Sequence, residues 1–329
     1  MITTFLATLN PMLMLFLCMA IGYAISRTGI MPRESSSVLS KLETWVFCPA
    51  LSFITMARYC TISSLGTHGV NILLSILGIS LAVGIAIPLS GLFEKKKTPR
   101  GIYKYALTFG NFGYLGDPII LALFGGQVLS YYKLFTLPLT VMVYSWGFSV
   151  LVPSDEEKKG GFLKKLFNFP LIALLLGMLV GILGVGDDIP VFLTDTLDAL
   201  KDCMGPVAML IAGLTVARYG FVSMLKNKKV YIATLLRLVI LPTIIVGVLW
   251  GAKELLSLAT GMEIGNLVVF LGFFAYATPL GLNTVVFPEA YGGDAGTGAS
   301  MAMISHTLCV ISIPLLYALM TLVFGAPAV

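Results

Sequence analysis

Charge is scarce in this sequence. Asp, Glu, Lys and Arg make up 11% of its 329 residues, against about 25% in an ordinary soluble domain. The one polar segment of note, Ser154 to Lys165, is short and reads as a linker. That leaves no room for a separate soluble domain. Histidine is almost missing, and the five cysteines (Cys18, Cys48, Cys60, Cys203, Cys309) show no metal-ligand spacing. Free structural thiols are expected, with no metal site. There is no H-E-x-x-H and no P-loop, so zinc hydrolysis and nucleotide-driven chemistry have nothing to build on. The net charge of +5 does not point to nucleic acid, because the basic residues sit in short connections between apolar runs.

What the chain has instead is apolar length: 57% of its residues are hydrophobic. Runs long enough to span a roughly 30 Å hydrocarbon core recur throughout. The pattern predicts an all-α polytopic membrane protein with ten spans, at 5–26, 37–58, 68–92, 103–125, 131–152, 169–185, 196–218, 229–252, 264–290 and 297–324. The first run lacks a charged leader and is expected to be retained as a helix. Lys and Arg concentrate in alternate connections, and only Arg58, Lys133, Lys201 and Lys253 fall on the other side. The positive-inside rule then puts both termini outside the cytoplasm. The connection from Gly186 to Cys203, with five aspartates, is expected as an outer loop.

The stretch Tyr105 to Gly126 organises the rest. Gly110, Asn111, Gly113, Gly116, Asp117 and Pro118 interrupt an otherwise apolar helix. Glycine and proline cost about 1 and 3 kcal/mol relative to alanine in a helix interior. The helix is expected to unwind from Asn111 to Gly116 and restart at Pro118, with Asp117 as its N-cap. Unwound backbone at membrane depth must line a cavity or be buried in protein. A discontinuous helix of that kind marks a transporter binding site.

The two halves look alike. CPALSFITMARY from Cys48 parallels GPVAMLIAGLTVARY from Gly205. Laid on the offset of FGG at Gly126 and YGG at Gly293, the first break meets a second, holding Pro279, Gly281, Asn283 and Pro288. Five spans per half is an odd number, so the halves must run in opposite directions. This predicts a first inverted repeat at 1–152, a linker at 153–168 and a second repeat at 169–329, with broken spans 4 and 9 crossing.

These residues resemble the auxin efflux carrier family, which includes bacterial organic-acid permeases. The similarity lies in Asn111-x5-Asp117-Pro118, in Pro279-x-Gly281 with Tyr291 beyond, in Arg237-Leu238 with Pro242, and in Pro49-Ala50-Leu51. The resemblance covers essentially the whole chain. It implies the fold shared with bile acid/sodium symporters: a scaffold domain of spans 1, 2, 6 and 7 and a transport domain of spans 3–5 and 8–10. It also implies export, substrate near Asn111, Pro118 and the span 9 break, and a homodimer through the scaffold. The chain departs from the family pattern at Asp117, usually uncharged, and at Thr284, where plant members carry a second proline.

The expected site is therefore Asn111, Gly113, Asp117, Pro118, Pro279, Gly281, Asn283 and Thr284, with Asp117 as a coupling carboxylate for H+ or Na+. Asn111 would read a carboxylate or satisfy freed backbone. Arg237 would attract an anion or snorkel towards the cytoplasmic surface, with Glu289 as a partner. His306 is expected to bond between helices, and His68 to be solvated. Two half-helix N-termini suit a small organic anion. The expected function is secondary transport of carboxylates by an elevator motion. The alternatives are a sodium- or proton-coupled symporter of the bile acid type and, more remotely, an intramembrane aspartyl protease, for which the Gly-x-Gly-Asp motif is missing. No organic cofactor is expected.

Overall fold

The computed structural model describes residues 2–32, 34–151, 169–219, 227–291 and 294–327. Among them the chain is helical, with no β-strand and one isolated bridge. The helices are α1 (Ile2–Thr28), α2 (Ser35–Tyr59), α3 (Ile62–His68), α4 (Val70–Phe93), α5 (Lys97–Thr108) and α6 (Phe112–Leu151). They continue with α7 (Phe169–Ile182), α8 (Val191–Arg218), α9 (Lys228–Thr260), α10 (Leu267–Ala277), α11 (Asn283–Tyr291) and α12 (Ala295–Phe324). By length and composition six of these can cross a bilayer, and the pair α2 and α3, bent by 99°, makes a seventh. The apolar α7 and α10 are shorter. The protein is a multi-pass membrane protein.

Why α6 is two helices follows from Gly125, whose φ of 80° and ψ of −178° lie outside the helical region. Only glycine adopts that conformation without strain. The chain reverses there. Along one straight helix, twenty residues span about 30 Å, yet the Tyr132 hydroxyl donates to the Phe112 carbonyl at 3.1 Å. The apolar runs on either side of Gly125 therefore lie side by side, which brings Asp117 against Lys133.

α8 packs along α1 and against α2, and α2 also carries α7. A second group joins α4 to α5, α6 and α9, and α9 to α10, while α12 holds α11 and touches α1. Small residues set the close approaches. A Cβ on Gly213 would overlap the backbone of α1 at Met19, and one on Gly181 would stand 2.5 Å from the carbonyl of Met56. Lipid offers no hydrophobic drive between helices, so such backbone contact is what holds them.

Two expectations are corrected. The aspartate-rich segment before Cys203 is not a loop: α8 begins at Val191, so Asp195, Asp198 and Asp202 ride on its first turns. Asp198 is fixed there by Arg58, at 2.8 and 3.0 Å, and by Lys201 at 2.7 Å. Those groups are about one third exposed or less. Arg58→Ala is expected to cost about 1 kcal/mol or less, read as a small drop in the melting temperature of the purified protein. His68 is not solvated but half-buried, its ring stacked on Tyr131 with centroids 3.6 Å apart.

Candidate functional site

The two breaks meet. Gly110 and Leu280 form an antiparallel bridge, and the Asn111 N–H donates to the Pro279 carbonyl at 2.7 Å. The Leu280 N–H donates to the Ser305 hydroxyl of α12 at 3.2 Å. Two extended segments thus satisfy each other at a depth where water cannot.

The first break is shorter than expected and lies earlier. α5 ends at Thr108, and the next helix starts at Phe112, not at Pro118. The Asn111 carbonyl accepts from both Leu115 and Gly116, and the Asp117 N–H reaches back to Phe112. The glycines shift the ladder from i+4 to i+5, a π-turn over Phe112–Gly116, in place of breaking it. Asp117 is then inside a continuous helix, at φ −56° and ψ −52°, and does not cap it. Gly116 is needed because the Tyr132 hydroxyl occupies the place of its Cβ.

Arg237 holds the crossing from the other side. It does not snorkel: it is 0% exposed. Its Nε donates to the Thr278 carbonyl at 3.2 Å and its Nη1 to the Thr108 carbonyl at 3.4 Å. These carbonyls lie where α5 and α10 end, and helix C-termini carry unpaired acceptors and negative partial charge. One guanidinium therefore serves both half-helices. Gly110 makes this possible, since a Cβ there would overlap Arg237 Nη2 and the Thr278 hydroxyl. The side chain of Glu289, its expected partner, lies outside the described residues.

The opposite faces of the breaks, where helices begin, border a cavity of about 90 Å³. Asn111, Gly113, Asp117, Gly281 and Asn283 line it. A Cβ on Gly113 would meet nothing within 4 Å, so that backbone is open to the cavity. Asn111 is buried, and its Nδ2 lies 3.1 Å from His306 Nε2. His306 Nδ1 lies 2.8 Å from the Ala302 carbonyl, which can only accept. Nδ1 therefore carries hydrogen and Nε2 accepts from the Asn111 amide. The expected inter-helix bond of His306 thus orients the Asn111 side chain, whose second Nδ2–H and Oδ1 have no protein partner among the described residues.

Pro118, Pro279 and Thr284 do not line the cavity. Pro118 lies against Gly205 of α8, 3.0 Å from where a Cβ of that glycine would stand. Pro279 acts through its carbonyl, and the buried Thr284 hydroxyl donates to the Gly281 carbonyl at 2.8 Å. Sequence reasoning missed Lys133, which lies on the cavity wall in a buried ion pair with Asp117. It also missed Tyr105, whose hydroxyl accepts from Asn283 Nδ2 at 3.1 Å, and Tyr144 and Cys48 on the same wall. Lys133 was legible in principle: it falls inside the predicted span at 131–152, and an ionised residue inside a span calls for a partner.

A family profile described as membrane transport protein matches residues 7–161 and 158–317. The chain belongs to this family, the auxin efflux carriers. An uncharacterized transporter of Methanocaldococcus jannaschii is 24% identical over 213 residues, covering 64% of this chain and 69% of the relative. A second, from Methanothermobacter thermautotrophicus, is 25% identical over 217 residues, covering 64% and 68%. The broken helices of this auxin efflux carrier relative therefore belong to a transport protein.

Proposed function

We propose that the protein is a secondary carrier of small organic anions such as carboxylates, with the substrate at the crossing of the two breaks. The observation that carries this is the pair of half-helix N-termini, at Phe112 and Asn283, on one cavity wall with Asn111 and Lys133. A helix dipole and the open N–H groups of a helix start suit a carboxylate. The start at Phe112 carries more of this, because at Asn283 the Thr284 and Val285 N–H groups already donate to the Gly281 and Leu282 carbonyls. At about 90 Å³ the cavity is well below the roughly 300 Å³ at which drug-sized ligand sites begin. That size favours a small acid over a bile-acid-sized substrate. A substrate carboxylate beside Lys133 would compete with Asp117 for the same ammonium, which is the role we give Asp117 in coupling to H+ or Na+.

Ten crossings follow if α5 with 112–124, and α10 with α11, each count as one broken span, and Gly125 separates spans 4 and 5. The antiparallel contact of the breaks supports inverted repeats at 1–152 and 169–329. The packing of α1, α2, α7 and α8 supports a scaffold, and that of α4–α6 and α9–α12 a transport domain moving as an elevator. Export, a position in the cell membrane with both termini outside, and a scaffold homodimer complete the reading. It treats the protein as a carrier and not an enzyme.

Binding tests it without transport. A ligand that binds only the folded state raises its melting temperature. In a panel of mono- and dicarboxylates, at least one is expected to stabilise the purified protein saturably. Asn111→Ala is expected to stay folded, melting somewhat below the wild type because His306 Nε2 loses its donor, and to lose that response. A mutant that keeps the response would remove Asn111 from the site.

A further inference from the structure

The carrier mechanism leaves one buried acid unused. Glu43 is 1% exposed, and neither of its carboxylate oxygens has a hydrogen-bond partner among the described residues. It opens a π-turn, Glu43–Phe47, in α2. Such irregular turns gather at functional sites, and the others here hold Tyr114, Tyr144 and Arg237. Glu43 lines a second cavity, of about 80 Å³. Its wall shares Tyr114, Tyr144, Leu282 and Asn283 with the crossing cavity.

We propose that Glu43 is a proton-binding site that links proton uptake to anion binding at the crossing; the link to the anion rests on the carrier reading above. A bare carboxylate there would have neither donor nor counter-ion among the described residues, which burial does not tolerate. The titratable groups facing it are Tyr114 and Tyr144 across the cavity and Cys48 on its own helix. Among the described residues, α8 contributes only Ala208 and Ile211 to the wall, α11 contributes Asn283 and Phe287, and no cation lines the cavity. A metal ion is the poorer occupant. Hard cations ask for about six oxygen ligands, whereas six of the ten residues on this wall are apolar or aromatic. The Ser40 and Thr44 hydroxyls already donate to the carbonyls of Ser36 and Ser40. Protonation removes a negative charge beside the anion site, so proton and anion favour each other, and the coupling is reciprocal.

Infrared difference spectra of the purified protein test the proton directly. The wild type is expected to show a protonated carboxyl band at neutral pH that Glu43→Gln removes and Glu43→Asp shifts. No such band in the wild type, or a band that Glu43→Gln leaves unchanged, would overturn the proposal. Loss of the wild-type band on adding sodium would overturn it in favour of a metal cation. For the coupling, lactate and succinate serve as probes. Wild-type affinity is expected to fall by up to about tenfold per pH unit as the proton leaves. In Glu43→Gln the dependence should shrink to what Asp117 contributes. A pH dependence as steep in Glu43→Gln as in the wild type would overturn the linkage. If neither probe binds any variant while the band behaves as expected, the carrier reading fails and the proton site stands.

Discussion

Arg237→Leu is expected to abolish transport and to lower the melting temperature of the purified protein sharply. The residue is the common donor to the Thr108 and Thr278 carbonyls, where both half-helices end. Hydrogen bonds to charged groups contribute about 1.5–3 kcal/mol each. Losing both also leaves two acceptors unpaired in a dry interior, so roughly 3 kcal/mol or more is at stake. Leucine supplies volume but no donor, so packing alone cannot rescue it. Arg237→Lys should recover only part of the loss, because an ammonium is a point charge and cannot span two carbonyls as a planar fork does. The melting temperatures of the three proteins in detergent check this. A leucine variant that melts with the wild type would mean that the breaks hold themselves.

The second large effect concerns Asp117 and Lys133. Asp117→Asn leaves a buried ammonium without its counter-ion, and breaking a buried pair from one side costs about 3–5 kcal/mol. Lys133→Met should cost a similar amount for the mirror reason. The double variant removes both charges, and replacing a buried pair by neutral groups of similar size is often nearly neutral. The double variant is therefore expected to regain most of the stability and none of the transport, which separates the structural role of the pair from its role at the cavity. Thermal unfolding and flux of all four proteins complete the cycle. Strict additivity of the two single losses would show that the residues do not act as a pair.

The breaks were legible because their cause is local. Gly110 and Asn111 in the first half, and Pro279 and Gly281 in the second, disfavour a helix whatever surrounds them. Where the first helix resumes was not legible. Asp117-Pro118 reads as a cap followed by a first turn, but the π-turn at Phe112–Gly116 depends on Tyr132 settling against Gly116, a contact made only after the chain reverses at Gly125. The same reversal hid the ion pair: near the start of a span, Lys133 reads as an interfacial charge until Gly125 folds it back onto Asp117. Arg237 misled for a related reason. A long basic side chain near a helix end can reach water, and only the arrival of two helix C-termini beside it gives it a better place. Asn111 was legible as a polar group at the break, but not which of its two uses it takes, because its orientation depends on His306, which α12 brings to it from far along the chain.

Flux into proteoliposomes is the most direct test of a carboxylate site at the crossing. Labelled mono- and dicarboxylates would be offered to wild type and Asn111→Ala, with and without imposed proton and sodium gradients. The expected result is saturable uptake of at least one small acid by the wild type and none by a folded Asn111→Ala. Absence of flux for every acid under every gradient, or equal flux through Asn111→Ala, would contradict it.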